Sequence, residues 1–154
     1  DLCLAAEFAI QEGGGFGWLE PPVRDVMEQY WRGVALVPSL AAWIARFDGT
    51  VVGSVQMRRM PKNNEAQAHS AQISSTFIAP WARGHGLARG LLSTAIEHAK
   101  AQGLSLLTLD LRETQSAAIT IFESRGFVCY GTNPFYAKVD GDYVAGRSYY
   151  LKLD

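Results

Sequence analysis

Ile78-Ala79-Pro80-Trp81-Ala82-Arg83-Gly84-His85-Gly86-Leu87-Ala88 runs from an apolar strand-like segment, through a glycine-rich turn, into a helix start. Upstream, Ala71 to Ile78 reads as a strand that ends at Pro80. Downstream, Leu87, Leu91, Leu92, Ala95, Ile96 and Ala99 recur at helical spacing, with Arg89, Glu97 and Lys100 on the other face. A helix N-terminus leaves backbone N–H groups unpaired, and its dipole favours an anion there. Glycines let a phosphate approach the backbone closely, and Arg83 adds a charge-assisted partner. The chemistry expected at Arg83 to Ala88 is pyrophosphate binding.

A Rossmann dinucleotide site would need G-x-G-x-x-G directly after a strand and an acidic residue about 20 positions on. Gly84 and Gly86 supply the first pair and Asp110 lies at a tolerable distance, but Arg89 occupies the third glycine position. Pro80 to Arg83 also separates strand from turn. A Walker A loop fails for want of G-K-[ST]. The glycines could also serve backbone geometry alone.

Working outward, Leu2 to Gln11 is rich in helix formers and stops at Gly13-Gly14-Gly15. Pro21-Pro22 opens a second expected helix through Arg24, Met27, Tyr30 and Trp31. Trp18 and Trp31 read first as packing residues. Ala41–Phe47 and Thr50–Met57 flank Asp48-Gly49, a hairpin signal, and with the strand at Ala71 form an expected antiparallel meander. Gly103 caps the helix that follows the glycine turn. Leu104 to Leu111 is nearly all apolar, as in a strand covered on both faces. A helix from Gln115 to Arg125 stops at Gly126; Phe127–Gly131 and Arg147–Leu153 read as the last strands, joined by a loop carrying Asn133-Pro134 and Asp140-Gly141. Strand-helix-strand units imply some parallel pairing. The expected fold is α/β (α+β): a mixed, mostly antiparallel central sheet with helices on both faces.

The 154 residues suit one domain, 1–154, with 48% hydrophobic and 19% charged residues. A net charge of -1 argues against a nucleic-acid binder, which needs an excess of Lys and Arg. No apolar run approaches the roughly 20 residues of a membrane span. The two cysteines, Cys3 and Cys129, have no metal-type spacing; Cys129, in an apolar run, is expected as a buried inert thiol, and this usage fits a reducing cytoplasm. His69, His85 and His98 lack metal-ligand spacing, so no metal is expected. The chain begins at Asp1 without a methionine, so N-terminal sequence is expected to be missing.

Arg83-Gly84-His85-Gly86-Leu87-Ala88 fits every defined position of the [QR]-x-x-G-x-[GA] motif of the GNAT acetyltransferases. Gln115, Ala118, Ile121, Phe122, Gly126 and Phe127 stand at the positions of that family's N-x-x-A-x-x-[LI]-Y-x-x-x-G-[FY] segment. The chain thus resembles GNAT enzymes over most of its length, although the strand that opens the family fold is absent. A nearer likeness is to small bacterial members that acetylate antibiotic or toxin amines, such as the tabtoxin-resistance acetyltransferase, through Gly13–Leu19, Leu109-Asp110 and Pro134-Phe135-Tyr136-Ala137.

The resemblance implies an acetyl-CoA-dependent N-acetyltransferase acting on a small-molecule amine, with dimers common in the family but not specified by any residue here. By the same resemblance, Phe77 and Ile78 offer backbone groups to the pantetheine arm, Arg83, Gly84, His85, Gly86, Leu87 and Ala88 hold the pyrophosphate, and Gln115, Ala118 and Phe122 belong to the donor site. Two customary groups are altered: the family's general-acid tyrosine is Phe122, and a strand glutamate of the toxin-resistance relatives is Gln72. Neither can move a proton as those groups do.

Asp110, an acid between Leu109 and Leu111, is the best candidate to bind the amine or relay its proton; otherwise it caps the next helix or pairs with Arg112. Glu113 is a weaker candidate. Tyr136 is the candidate replacement acid, while Ser74, Ser75 and Thr76 line the strand beside the thioester. Aromatic residues Phe16, Trp18, Trp31, Phe135 and Tyr136 hint at a partly apolar acceptor cavity. The altered groups leave a second class of function open, a non-catalytic acyl-CoA sensor or partner domain.

Overall fold

The computed structural model describes all residues from Asp1 to Asp154. Helices α1 (Leu2–Gln11) and α2 (Arg24–Leu36) precede strands β1 (Leu40–Phe47), β2 (Thr50–Arg59) and β3 (Ser70–Ile78); then follow α3 (Leu87–Ala101), β4 (Leu106–Arg112), α4 (Ser116–Ser124), β5 (Val128–Val139) and β6 (Asp142–Lys152). The six strands form one sheet in the order β1-β2-β3-β4-β6-β5, parallel only between β3 and β4. The expected meander and mixed sheet are therefore present.

Helices cover both faces. Gln56 of β2 donates through Nε2 to the Tyr30 hydroxyl of α2 at 2.8 Å. Trp43, cross-strand from the neighbouring Val55, packs instead against His98 of α3, ring centroids 5.0 Å apart. Residues 52 to 57 of β2 are consequently buried without alternation. Ala5, Ala6 and Ala9 give α1 a small-residue face that meets the core, and Leu91, Leu92, Ala95, Ile96 and Ala99 do the same for α3. Each large apolar side chain so buried contributes about 1.5–3 kcal/mol.

Several sequence expectations change. Helix α2 begins at Arg24 with Val23 as its N-cap, so the two prolines lie just outside it. In β4 only Leu107, Leu109, Leu111 and Arg112 are buried, while Asp110 is exposed, because β4 parts from β3 there. Asn133 to Ala145, expected as a loop, forms the middle of a hairpin whose strands run 12 and 11 residues. Asp140 and Gly141 have φ of 51° and 85°, the left-handed pair that a tight hairpin turn requires. Pro134 is tolerated because β5 is an edge strand whose register shifts between Asn133 and Ala137. On that edge Cys129 is exposed, not buried. No helix is long and apolar enough to cross a membrane.

Candidate active site

The site begins where β3 and β4 separate. They pair only through Ser70–Gln72 and Leu106–Thr108, so β3 from Ile73 to Ile78 has no strand partner on its β4 side. Ser75 adopts a φ of 49° where the β2–β3 register shifts, and its hydroxyl lies 3.3 Å from that of Tyr30. Thr76 Oγ1 is buried beside it without a partner. On the other side, Phe77 and Ile78 pair with Ser54 and Gly53. A β-carbon on Gly53 would lie 2.5 Å from the Phe77 carbonyl oxygen, so only glycine permits this approach.

At the end of β3 the chain turns through Pro80–Ala82 into the glycine loop. Gly84 and Gly86 have φ of 83° and 76°, and a β-carbon on either would meet nothing within 4 Å. Conformation, not crowding, demands glycine there, and the space above is open. The backbone N–H groups of Gly84 to Arg89 have no backbone acceptor, and no side chain caps α3. Arg83 donates through Nε to the Ile78 carbonyl at 3.2 Å, and its Nη1 pairs with Glu12. The His85 ring stacks on Phe47 at 4.4 Å, away from the groove, so only its backbone is available.

This loop forms one wall of a groove of about 630 Å³ that also meets Thr76, Phe77, Ile78, Gln115, Ala118 and Phe122. Gln115, expected as the first residue of the helix, is instead the N-cap of α4. A second cavity of about 510 Å³ lies on the other side of the splay. Gly15, Thr76, Gln115, Ala118 and Phe122 line both, so the two meet.

The second cavity brings Asp110 and Tyr136 together. Asp110 caps no helix and does not pair with Arg112; its Oδ1 accepts a hydrogen bond from Ser148 Oγ at 2.6 Å. Burial, and secondarily the charge of Asp110, raise the Tyr136 phenol above its ordinary range, opposed by Arg112. Phe122 packs on Phe127 and brings no hydroxyl. Ser74, Ser75 and Thr76 line this cavity as expected. Glu113 pairs with Arg147 at 2.9 Å and lies outside it. Of the aromatic residues expected around the acceptor, Phe16 and Tyr136 line the cavity; Trp18 and Trp31 pack around Phe16, and Phe135 packs on Tyr143.

Sequence reasoning missed Gly146. A β-carbon there would stand 2.1 Å from Cγ of Tyr136, because the β5 bulge lays that ring across the β6 backbone. No signal marked it, because the expected strand began at Arg147, whereas β6 already runs through Gly146. Gly146→Val is expected to expel the Tyr136 ring and, if that ring takes part in turnover, to lower kcat as far as Tyr136→Phe does. Steady-state kinetics of both variants checks this; a Gly146→Val kcat near wild type would separate the ring's position from turnover.

Residues 5–127 match the model of the acetyltransferase (GNAT) family. An uncharacterized N-acetyltransferase of Azospirillum brasilense is 52% identical over 115 residues, 75% of this chain and 68% of that protein. Human N-acetylaspartate synthetase is 30% identical over 118 residues, 77% of this chain but only 36% of the synthetase. Among solved structures, a putative acetyltransferase from Salmonella typhimurium with its cofactor acetyl-CoA superposes with a TM-score of 0.81 at 18% identity, covering 99% of this chain and 86% of that one.

Proposed function

This chain belongs to the acetyltransferase (GNAT) family, and we propose that it transfers the acetyl group of acetyl-CoA directly to a primary amine of a small molecule. The observation that carries this reading is the meeting of two cavities at the β3–β4 splay, one walled by the glycine loop and the other holding Asp110 and Tyr136. The Salmonella protein's bound acetyl-CoA supports the donor, and the synthetase's name supports a small amine acceptor.

The free N–H groups of the glycine loop suit the donor pyrophosphate, with Arg83 exchanging Glu12 for phosphate oxygen. Phe77 and Ile78 would offer backbone groups to the pantetheine arm, and Gln115, Ala118 and Phe122 line the same groove. A lysine-like amine, with a pKa of about 10.4, arrives protonated and cannot attack in that form. Asp110 holds the ammonium and accepts its proton. As the N–C bond forms and the C–S bond breaks, Tyr136, kept protonated by its surroundings, donates to the departing sulfur. The second amine proton, shed as the amide forms, restores the phenol, while the proton on Asp110 passes to solvent. Cys3 and Cys129 line neither cavity, which suits direct transfer without an acyl-enzyme.

The expected result is thermal stabilisation by acetyl-CoA together with thiol release in the presence of an amine panel. Stabilisation without release for any amine would make the chain an acyl-CoA sensor. A shift with NAD or ATP but none with acetyl-CoA would overturn the donor.

A further inference from the structure

The acceptor cavity contains a buried cation without a counter-charge. Arg112, the last residue of β4, is 9% exposed, and no carboxylate oxygen lies within 4.0 Å of its nitrogens. Its Nη2 donates to the carbonyls of Gly13 at 2.9 Å and Phe16 at 3.3 Å, which anchors the loop after α1. That contact occupies one nitrogen. Nη1 and Nε have no protein acceptor, and neither is among the donors sealed from solvent, so they open into the cavity that Arg112 lines. Withdrawing a guanidinium from water is costly unless an anion meets it.

Charge balance points the same way. Lys138 borders the cavity, but its ammonium lies 5.5 Å over the ring of Tyr143, which does not line it, so Arg112 is the cation that faces Asp110 there. An acceptor bearing only an ammonium would add an uncompensated positive charge to this pair, whereas one that brings its own carboxylate adds none. Asp110 and Arg112 are two residues apart on one strand and both face the cavity, with Cα atoms ~6.5–7 Å apart. An α-amino acid, with its ammonium and carboxylate on one carbon, fits between such groups.

We propose that the acceptor is a free α-amino acid, its amine held at Asp110 and its carboxylate bonded by the free donors of Arg112. Phe16, Leu19 and Ile73 then meet its side chain. The assignment rests on the acetyltransferase reading of the same site.

The test uses the full chain with acetyl-CoA and the protein amino acids, each beside its amide and its decarboxylated amine. For at least one amino acid, kcat/KM should exceed that of both analogues by ~100-fold or more, as for a site built around a polar group that the analogue lacks. Arg112→Gln should collapse that ratio by raising KM for the acid and not for the amine; reading the ratio within each variant removes any effect of a loosened loop. Equal turnover of acid and amine would overturn the carboxylate site and leave the acetyltransferase intact. If no compound turns over although acetyl-CoA stabilises the chain, catalysis is what fails, and the anion site is then read by binding. N-acetyl amino acids should quench the Trp18 and Trp31 fluorescence more tightly than their amides do in the presence of CoA. Acids that bind no better than amides would overturn the proposal.

Discussion

Asp110→Asn is expected to lower kcat/KM for the acceptor roughly 100- to 1,000-fold, the range of general acid–base contributions, while the acetyl-CoA Kd stays within about twofold. Asparagine has the same shape and can still accept the Ser148 hydroxyl through its amide oxygen, so the strand ladder beneath is preserved. It can neither attract an ammonium by charge nor take its proton. The same change has a pH signature. Asp110 raises the Tyr136 phenol, so its removal lowers that pKa and moves the alkaline limb of kcat to lower pH. The shift is limited, because burial is the larger cause and remains. Equal losses of turnover and acetyl-CoA affinity would make Asp110 structural. A stationary alkaline limb would remove Tyr136 from the role of acid.

Gly86→Val is expected to weaken acetyl-CoA on the order of 10- to 100-fold, the worth of one or two lost charge-assisted hydrogen bonds. Gly103→Val supplies the control. Both glycines have a φ of 76°, one at each end of α3, and a β-carbon on either meets nothing within 4 Å. Forcing a left-handed φ on valine costs ~1–2 kcal/mol or more at either position, so both variants should lose several degrees of Tm. Only Gly86 borders the groove, so only its substitution should raise Kd, measured by calorimetry at a temperature where both variants are folded. Equal Kd changes, or none, would detach the loop from the donor.

Much of the fold was legible because its signals are local. Asp48-Gly49 declares a hairpin, and both residues adopt the positive φ that it requires. The apolar repeat from Leu87 to Ala99 declares α3 and its buried face. The second hairpin was not legible. Asn133-Pro134 reads as a break, and only its place on a sheet edge, with a bulge, lets the strand continue through it. Cys129 misled for a related reason: Phe127-Val128-Cys129-Tyr130 is apolar, yet β5 has only β6 beside it and leaves the thiol exposed.

The amino-acid sequence by itself determined the half of the site that we propose for the donor. Arg83 to Ala88 and the α3 start are contiguous, and an anion cradle built from successive N–H groups needs little more than the local φ values that its glycines allow. The half proposed for the acceptor was decided by tertiary structure. Asp110, Arg112, Tyr136 and Gly15 come from β4, β5 and the loop after α1, and they converge only because β3 and β4 separate after three paired residues. Whether Asp110 would cap a helix, pair with Arg112 or face a cavity depended on that separation. So did the lone charge of Arg112, since a missing counter-ion becomes visible only when every neighbour is in place.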